Sequence, residues 1–394
     1  MNANRGITVF TPVYNRAYCI KNAYDSLLEQ SYKEFEWIIV DDGSTDNLQE
    51  QVNEWILAQQ IDIKYVKVSN GGKMRAQNIA VKLASKPAFL ALDSDDNLKQ
   101  NALELIWKWF EEIQYDTRFA GVSGLRDCRT VETDLGYEYV DITNCQRRQF
   151  GLSMDTAECY KTDILRNYLA PEHKGENYIS PAIVTNAIGL DGYLVRWYNQ
   201  KIYNFEFMED GLTKSGDAKF YKNYRGWADI ILLNSKCKAD ENYKEFAYYR
   251  YAKFEQNNLS LDEMAKYLGT STEDLENILK RKPYVIKKIN SFFEQKDIKK
   301  IAIYGLGQEA KRFIKFAEDY KFEITCGIDR VKKNLGIPCF SPMEDWENVD
   351  AVLITNKYFI DEIRENILKK SNIAVYSLQR DILPMPWNYY FCDL

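Results

Sequence analysis

Two clusters of carboxylates stand where apolar runs stop. Trp37–Val40 runs into Asp41-Asp42-Gly43-Ser44, and Ala88–Leu92 runs into Asp93-Ser94-Asp95-Asp96. Such side chains can hold a divalent cation, take a proton, or simply make a polar turn. One cluster is most simply a turn, but two at equivalent strand ends point to a ligand. The 394 residues include a single histidine, His173. That excludes a histidine-rich zinc site within one chain and leaves Ser–His or Cys–His chemistry one position to run through. Metal and acid–base chemistry therefore fall mainly to carboxylates. A different signal lies in the last hundred residues, where IAIYGLGQEA sets Gly305, Gly307 and Ala310 in a GxGxxG/A spacing, with Asp329 at the end of the next apolar run. This fits a dinucleotide-binding βαβ turn, with Asp329 placed for a ribose. The unit is short and no separate catalytic domain follows it, so a structural or regulatory module is favoured over NAD(P) binding.

The elements that must position these residues alternate. Ile7–Thr11 reads as a strand and Tyr18–Gln30 as a helix, with Ile20, Ala23, Leu27 and Leu28 on one face. Trp37–Val40 is a buried type of strand, Leu48–Gln59 a helix, Ile61–Val68 a strand, Ala76–Ser85 a helix and Ala88–Leu92 a strand. This rhythm predicts an α/β fold, a mostly parallel sheet with helices on both faces. Ligands of such sheets bind beyond the carboxyl ends of the strands, where both acidic clusters fall.

From Lys236 to Asp297 the chain turns charged and helical. Leu259–Lys280 resembles a helix-turn-helix in outline, but Glu273, Asp274 and Glu276 on its second helix would repel phosphates. The strand–helix rhythm then resumes at Ile301–Tyr304, Ile324–Ile328, Ala351–Thr355 and Ile373–Leu378. Three regions are predicted: 1–235, a helical linker 236–298, and a small Rossmann-like α/β domain 299–394. The formal charge of −6 does not suit a general nucleic-acid binder. Eight scattered cysteines without a CxxC favour a reducing cytoplasm over a disulfide scaffold. With neither signal peptide nor apolar run of spanning length, the expectation is a soluble chain, at most peripheral at the inner face of a membrane. A homo-oligomer stays open.

Four segments in order carry a resemblance: TPVYNRAYCIKNAYDSLLEQSY (Thr11–Tyr32), FEWIIVDDGSTDN (Phe35–Asn47), NGGKMRAQN (Asn70–Asn78) and FLALDSDDN (Phe89–Asn97). Together they resemble family 2 glycosyltransferases of the GT-A fold. The resemblance implies a nucleotide-sugar donor bound by residues 1–235. Thr11, Pro12 and Tyr14 would bind the donor, with Pro12 fixing the chain and Tyr14 beside the nucleotide base, and Asp42 would accept the imide N–H of a uracil. Gly71-Gly72 permits close backbone approach, while Lys73 supplies charge to the phosphates. Asp93-Ser94-Asp95 matches the family's DxD element, which implies Mg²⁺ or Mn²⁺ held through Asp95, with Asp93 on ribose or metal-bound water; Asp96 stays a candidate because the register is ambiguous.

An inverting transfer also needs a base in the acceptor half. The resemblance of GENY (Gly175–Tyr178) marks Glu176 for it, although Ser180-Pro181 stands where a second acid is expected; Glu209-Asp210 is the alternative. His173, in a loop beside Pro171 and Lys174, reads as a surface residue before a catalyst, and its nearness to Glu176 leaves a catalytic role open. The implied activity is transfer from a UDP-sugar to a glycan or lipid-linked acceptor in bacterial surface polysaccharide assembly. Two alternatives are a non-catalytic nucleotide-sugar-binding module and a nucleotidyltransferase that makes nucleotide sugars. The latter would carry a Gly-rich basic loop after the first strand, where this chain has Thr-Pro-Val-Tyr-Asn.

Overall fold

The computed structural model describes residues 5–127, 136–152, 156–205, 218–238, 241–253, 259–280, 284–344, 348–356 and 359–384. The chain divides into two compact units, Met1–Ala239 and Asp240–Leu394.

The first unit begins as the apolar rhythm predicts, with β1 (Ile7–Val13), α1 (Ile20–Leu28), β2 (Phe35–Asp41), α2 (Leu48–Ala58), β3 (Asp62–Lys67), α3 (Lys73–Leu83) and β4 (Ala88–Ala91). It continues with β5 (Asn97–Leu98), α4 (Ala102–Ile113), β6 (Phe119–Asp127), β7 (Tyr139–Ile142), β8 (Thr156–Lys161), α5 (Thr162–Leu165), α6 (Ala182–Leu190), β9 (Leu194–Asn204), α7 (Ala218–Tyr221) and α8 (Tyr224–Lys238). One sheet runs β3-β2-β1-β4-β8-β6-β9-β5, with β7 also on β9. Strands β1 to β4 pair in parallel, whereas β8 joins β4 and β6 antiparallel. The parallel half is buried along β2, as a strand covered on both faces must be. Beneath it Trp55 stacks on Tyr24 at 4.2 Å, with Trp37 at 5.9 Å from Trp55.

A polar strut crosses this core. Glu36 on β2 is fully buried, and it accepts from the Thr8 hydroxyl and the Ser85 amide, each at 2.6 Å, and from Lys64. Burial opposes its ionisation, but these donors outweigh that cost and lower its pKa.

The second unit opens with α9 (Glu241–Ala252), α10 (Leu261–Tyr267), α11 (Thr272–Leu279) and α12 (Tyr284–Glu294). Ser260 starts α10 with a reciprocal capping box to Glu263, and Ser271 caps α11 through the Asp274 amide. Five parallel strands follow, β10 (Lys300–Tyr304), β11 (Glu323–Ile328), β12 (Cys339–Phe340), β13 (Ala351–Ile354) and β14 (Ala374–Ser377), in the order β12-β11-β10-β13-β14. Helices α13 (Gln308–Lys315) and α14 (Ile360–Leu368) connect them. The predicted helical linker is thus part of this unit: Phe293 of α12 packs 4.4 Å from Phe322, and Phe292 packs 5.1 Å from Tyr376.

The cysteines depart from expectation. Cys145 and Cys237 form a disulfide across 92 residues. No sequence signal pairs positions so far apart. Among the described residues no helix is long and apolar enough to cross a membrane.

Candidate active site

The two acidic clusters meet at one end of the parallel strands. The turns after β1 and β2 are laced together: the Asn15 amide donates to Ser44 Oγ at 2.9 Å, Thr45 N–H to Asn15 Oδ1 at 2.8 Å, and Ala17 N–H to Asp46 at 2.9 Å. Asp41 is a strut of that lacing, accepting from Ser44 N–H and Tyr65. Burial works against its ionised form, yet Tyr65, Ser44 and Lys67 together lower its pKa.

Asp42 faces the loop ahead of α3. Its Oδ1 accepts from Gly71 N–H at 2.8 Å, and its Oδ2 from Gly72 N–H at 2.7 Å and Asn70 at 3.1 Å. Burial nevertheless raises its pKa, offset only in part by these donors. Gly72 has φ +89°, and a Cβ there would lie 1.8 Å from the carbonyl oxygen of Asn177, so only glycine fits where this loop meets Asn177.

Of the residues predicted to bind the donor, Thr11 needs correcting. It is fully buried, and its hydroxyl accepts the indole N–H of Trp37 at 2.9 Å, so it holds the core together. Pro12 is half-buried and Tyr14 is exposed, so both remain at the surface of the site.

The second cluster follows β4. The amide of Asp93 donates to the hydroxyl of Tyr203 on β9 at 2.8 Å, which fixes the turn against a buried ring. Lys73 pairs with the Asp93 carboxylate, and Arg126 at the end of β6 stands 3.7 Å from Asp93 and 3.4 Å from Asp96. The guanidinium lies over the Tyr203 ring at 4.4 Å. Burial disfavours the charge on Asp93, but Lys73 and Arg126 overcome it and lower its pKa. Asp96 is buried, its carboxylate 2% exposed and paired to Arg126, so it anchors the turn and offers little to a cation.

Asp95 differs from both neighbours. Its carboxylate has no hydrogen-bonding side chain or cation in contact among the described residues. Burial, and then the like charge of Asp93, raise its pKa. A carboxylate left short of positive charge beside a second one suits Mg²⁺ or Mn²⁺, which take one or two carboxylates and complete their shell with phosphate oxygens and water. No group of three metal-ligating side chains exists among the described residues.

Across Gly72 lies a cleft of about 580 Å³, lined by Asn70, Gly71, Met74 and Arg75 on one side and by Pro171–Ile179, Lys222 and Asn223 on the other. Glu176 stands in that wall, but not as a free base. Its Oε1 accepts from the Arg225 amide at 3.0 Å and from Arg225 Nε at 3.1 Å, and its Oε2 from Gly226 N–H at 2.9 Å. The carboxylate is 5% exposed and caps the first turn of α8. The expectation of Glu176 as base is corrected on this ground: its charge complements a helix 48 residues later in sequence, which local reading does not reveal. Glu209 and Asp210 lie outside the described residues. His173, read as a surface residue, is half-buried with Nε2 2.6 Å from Asp229 on α8.

In the second unit, Asp329 accepts from the Leu306 amide at 2.7 Å, the Val331 amide at 3.0 Å and Lys333 at 3.0 Å. The carboxylate placed by its spacing for a ribose therefore ties down the Gly305–Gly307 turn itself.

Sequence reading missed Arg126 and Asp229. A lone arginine ending the apolar and small-residue strand Phe119–Asp127 was the available signal for the first; nothing local marked the second.

An α/β sheet with a mixed right half, and paired carboxylates beyond the parallel strands beside a lysine and a glycine turn, define a GT-A type sugar-nucleotide domain. Residues 8–158 match the model of Glycosyl transferase family 2. An uncharacterized glycosyltransferase of Rickettsia felis is 37% identical over 109 residues, 28% of this chain and 18% of that one. The chain therefore spans less than a fifth of the first relatives it matches. The poly(ribitol-phosphate) beta-N-acetylglucosaminyltransferase TarS of Staphylococcus aureus is 22% identical over 354 residues, 86% of this chain and 60% of TarS. A crystal structure of TarS residues 1–349 with UDP-GlcNAc superposes with a TM-score of 0.48 and 16% identity, covering 70% of this chain and 91% of that one.

Proposed function

We propose that the chain is an inverting glycosyltransferase that moves a sugar from a UDP-sugar to a glycan or lipid-linked acceptor in surface polysaccharide assembly. The observation that carries this reading is the Asp93–Asp96 turn bracketed by Lys73 and Arg126. A diphosphate leaving group gains charge as its bond to the anomeric carbon breaks, and two cations beside paired carboxylates answer that need. The family match of residues 8–158 and the poly(ribitol-phosphate) transferase among the relatives support it.

In this reading Pro12 and Tyr14 flank the base. Asp42 keeps one unused acceptor site on Oδ1 for the uracil imide, since that oxygen takes only Gly71 N–H from the chain. Asp95 would hold Mg²⁺ or Mn²⁺, with Asp93 oriented by Lys73 and Arg126 toward the ribose. Bound there, the cation supplies Lewis-acid neutralisation of the diphosphate. The Asp96–Arg126 pair keeps the guanidinium at the height of the cluster.

A thermal-shift panel of UDP-glucose, UDP-galactose and UDP-N-acetylglucosamine, with and without Mn²⁺, tests this, together with UDP release. At least one donor should raise the melting temperature only when Mn²⁺ is present. No shift with any nucleotide sugar would favour a degenerate binding module, and pyrophosphate formation from a sugar phosphate and UTP would mark a nucleotidyltransferase.

A further inference from the structure

With Glu176 committed to α8, the cleft needs another group that can take a proton, and its wall holds one. His173 lines the cleft opposite Asn70, Gly71 and Arg75. Its Nε2 lies 2.6 Å from Asp229 Oδ2. A carboxylate at that distance selects the tautomer with hydrogen on Nε2, so Nδ1 carries the lone pair. Nδ1 has no protein partner among the described residues. An imidazole oriented by a carboxylate is the arrangement that general-base catalysis uses.

One helix touches both places: Lys73 of α3 pairs with Asp93, and Met74 and Arg75, the next two residues, line the cleft.

The other ionisable groups there are engaged or of the wrong kind. Glu172 is 3.8 Å from Arg75 and accepts from Asn78 at 3.0 Å. Lys174 and Lys222 line the cleft as hydrogen-bond donors. Arg225 of α8 binds Glu176 and the Lys174 carbonyl.

We infer that His173 and Asp229 form the base dyad of the transfer, an inference that rests on the transferase reading above. Nδ1 takes the proton of the acceptor hydroxyl as that oxygen bonds to the anomeric carbon. The bond from that carbon to the diphosphate breaks, and its electron pair leaves with the nucleotide. Asp229 holds the imidazolium through Nε2–H, and the proton passes to water after the product departs.

The test uses the full chain with UDP-N-acetylglucosamine, UDP-glucose and UDP-galactose as probes. UDP release with water as acceptor is followed from about pH 5 to 8, across the range where an imidazole titrates, and UDP affinity is measured by calorimetry. His173→Gln keeps an N–H for Asp229 but has no base. It should bind UDP within about twofold of the unaltered chain, release it about 100-fold more slowly, and lose the rise of rate with pH. Asp229→Asn should fall by about tenfold, and added imidazole should partly restore His173→Ala. A His173→Gln chain that binds UDP and turns over within about threefold of the unaltered rate overturns the dyad. So does a slow variant whose pH profile is unchanged and whose alanine counterpart imidazole does not rescue, since that is the behaviour of a structural staple. If the unaltered chain releases no UDP from any probe while binding UDP, the transferase reading itself fails first, and the dyad with it.

Discussion

The two units each contain a glycine turn tied to an aspartate, and among the described residues they lead to different surroundings. Asp42 holds Gly71 and Gly72 by their amides, and Asp329 holds the Leu306 amide inside Gly305–Gly307. Beyond the first turn stand Lys73, the Asp93–Asp96 cluster and a cleft. Beyond the second, the Thr355 hydroxyl donates to the Gly305 carbonyl at 2.6 Å, and Asn356 packs 3.2 Å from where a Gly305 Cβ would be. The local pattern is nearly the same in both. What differs is the set of charges assembled past the turn, which are distant in sequence.

The sharpest way to break this contrast is to alter both sides. Asp95→Ala should lower UDP release by about 1000-fold or more, as expected for lost charge stabilisation at a leaving group. Asp329→Asn should leave turnover within about twofold and cost about 1–3 kcal/mol of stability, since it weakens three accepted hydrogen bonds. Equal loss of turnover in both variants, measured by UDP release, would dissolve the distinction.

Cutting the chain sharpens it next. A chain ending at Ala239 keeps the first unit whole and should still release UDP. One ending at Lys299 strips Phe292 and Phe293 of Tyr376 and Phe322 and should aggregate or melt in two steps. Calorimetric scans of the two chains decide whether the boundary is at 239 or near 299.

Glu176→Gln comes third. Because the carboxylate caps α8, the variant should lose about 1–3 kcal/mol in urea unfolding and keep kcat within about threefold. A collapse of kcat at unchanged stability would return Glu176 to the role of base.

The left half of the first sheet was legible because β1, β2 and β4 are apolar runs halted by polar turns, and parallel strands buried on both faces leave that trace. The right half was not. β9 pairs in parallel with β6 and antiparallel with β5 and β7, a set of non-local choices that no window of eleven residues contains. The two acidic turns of the candidate site were legible for the same local reason. His173 with Asp229, Glu176 with α8, and Arg126 with Asp93 join positions 33 to 56 apart, and their meaning appears only once the chain is folded.

The smallest effect concerns pH. The folded pKa of Glu36 lies below its unfolded value of about 4.3, so its contribution is complete above that pH and fades as pH falls through the lower folded value. Glu36→Gln should therefore unfold at lower urea than the unaltered chain at pH 7, with the gap closing below about pH 4. A gap constant from pH 7 to 3 would show that shape, rather than charge, makes the strut.

The bond between Cys145 and Cys237 has a further consequence. It closes a covalent ring that contains β8, α6, β9, His173, Glu176 and Asp229. A protease that cuts the backbone once anywhere inside this ring frees no fragment. The two pieces would run as one chain on a denaturing gel until a thiol is added, and a cleaved acceptor half would stay tethered beside its donor half.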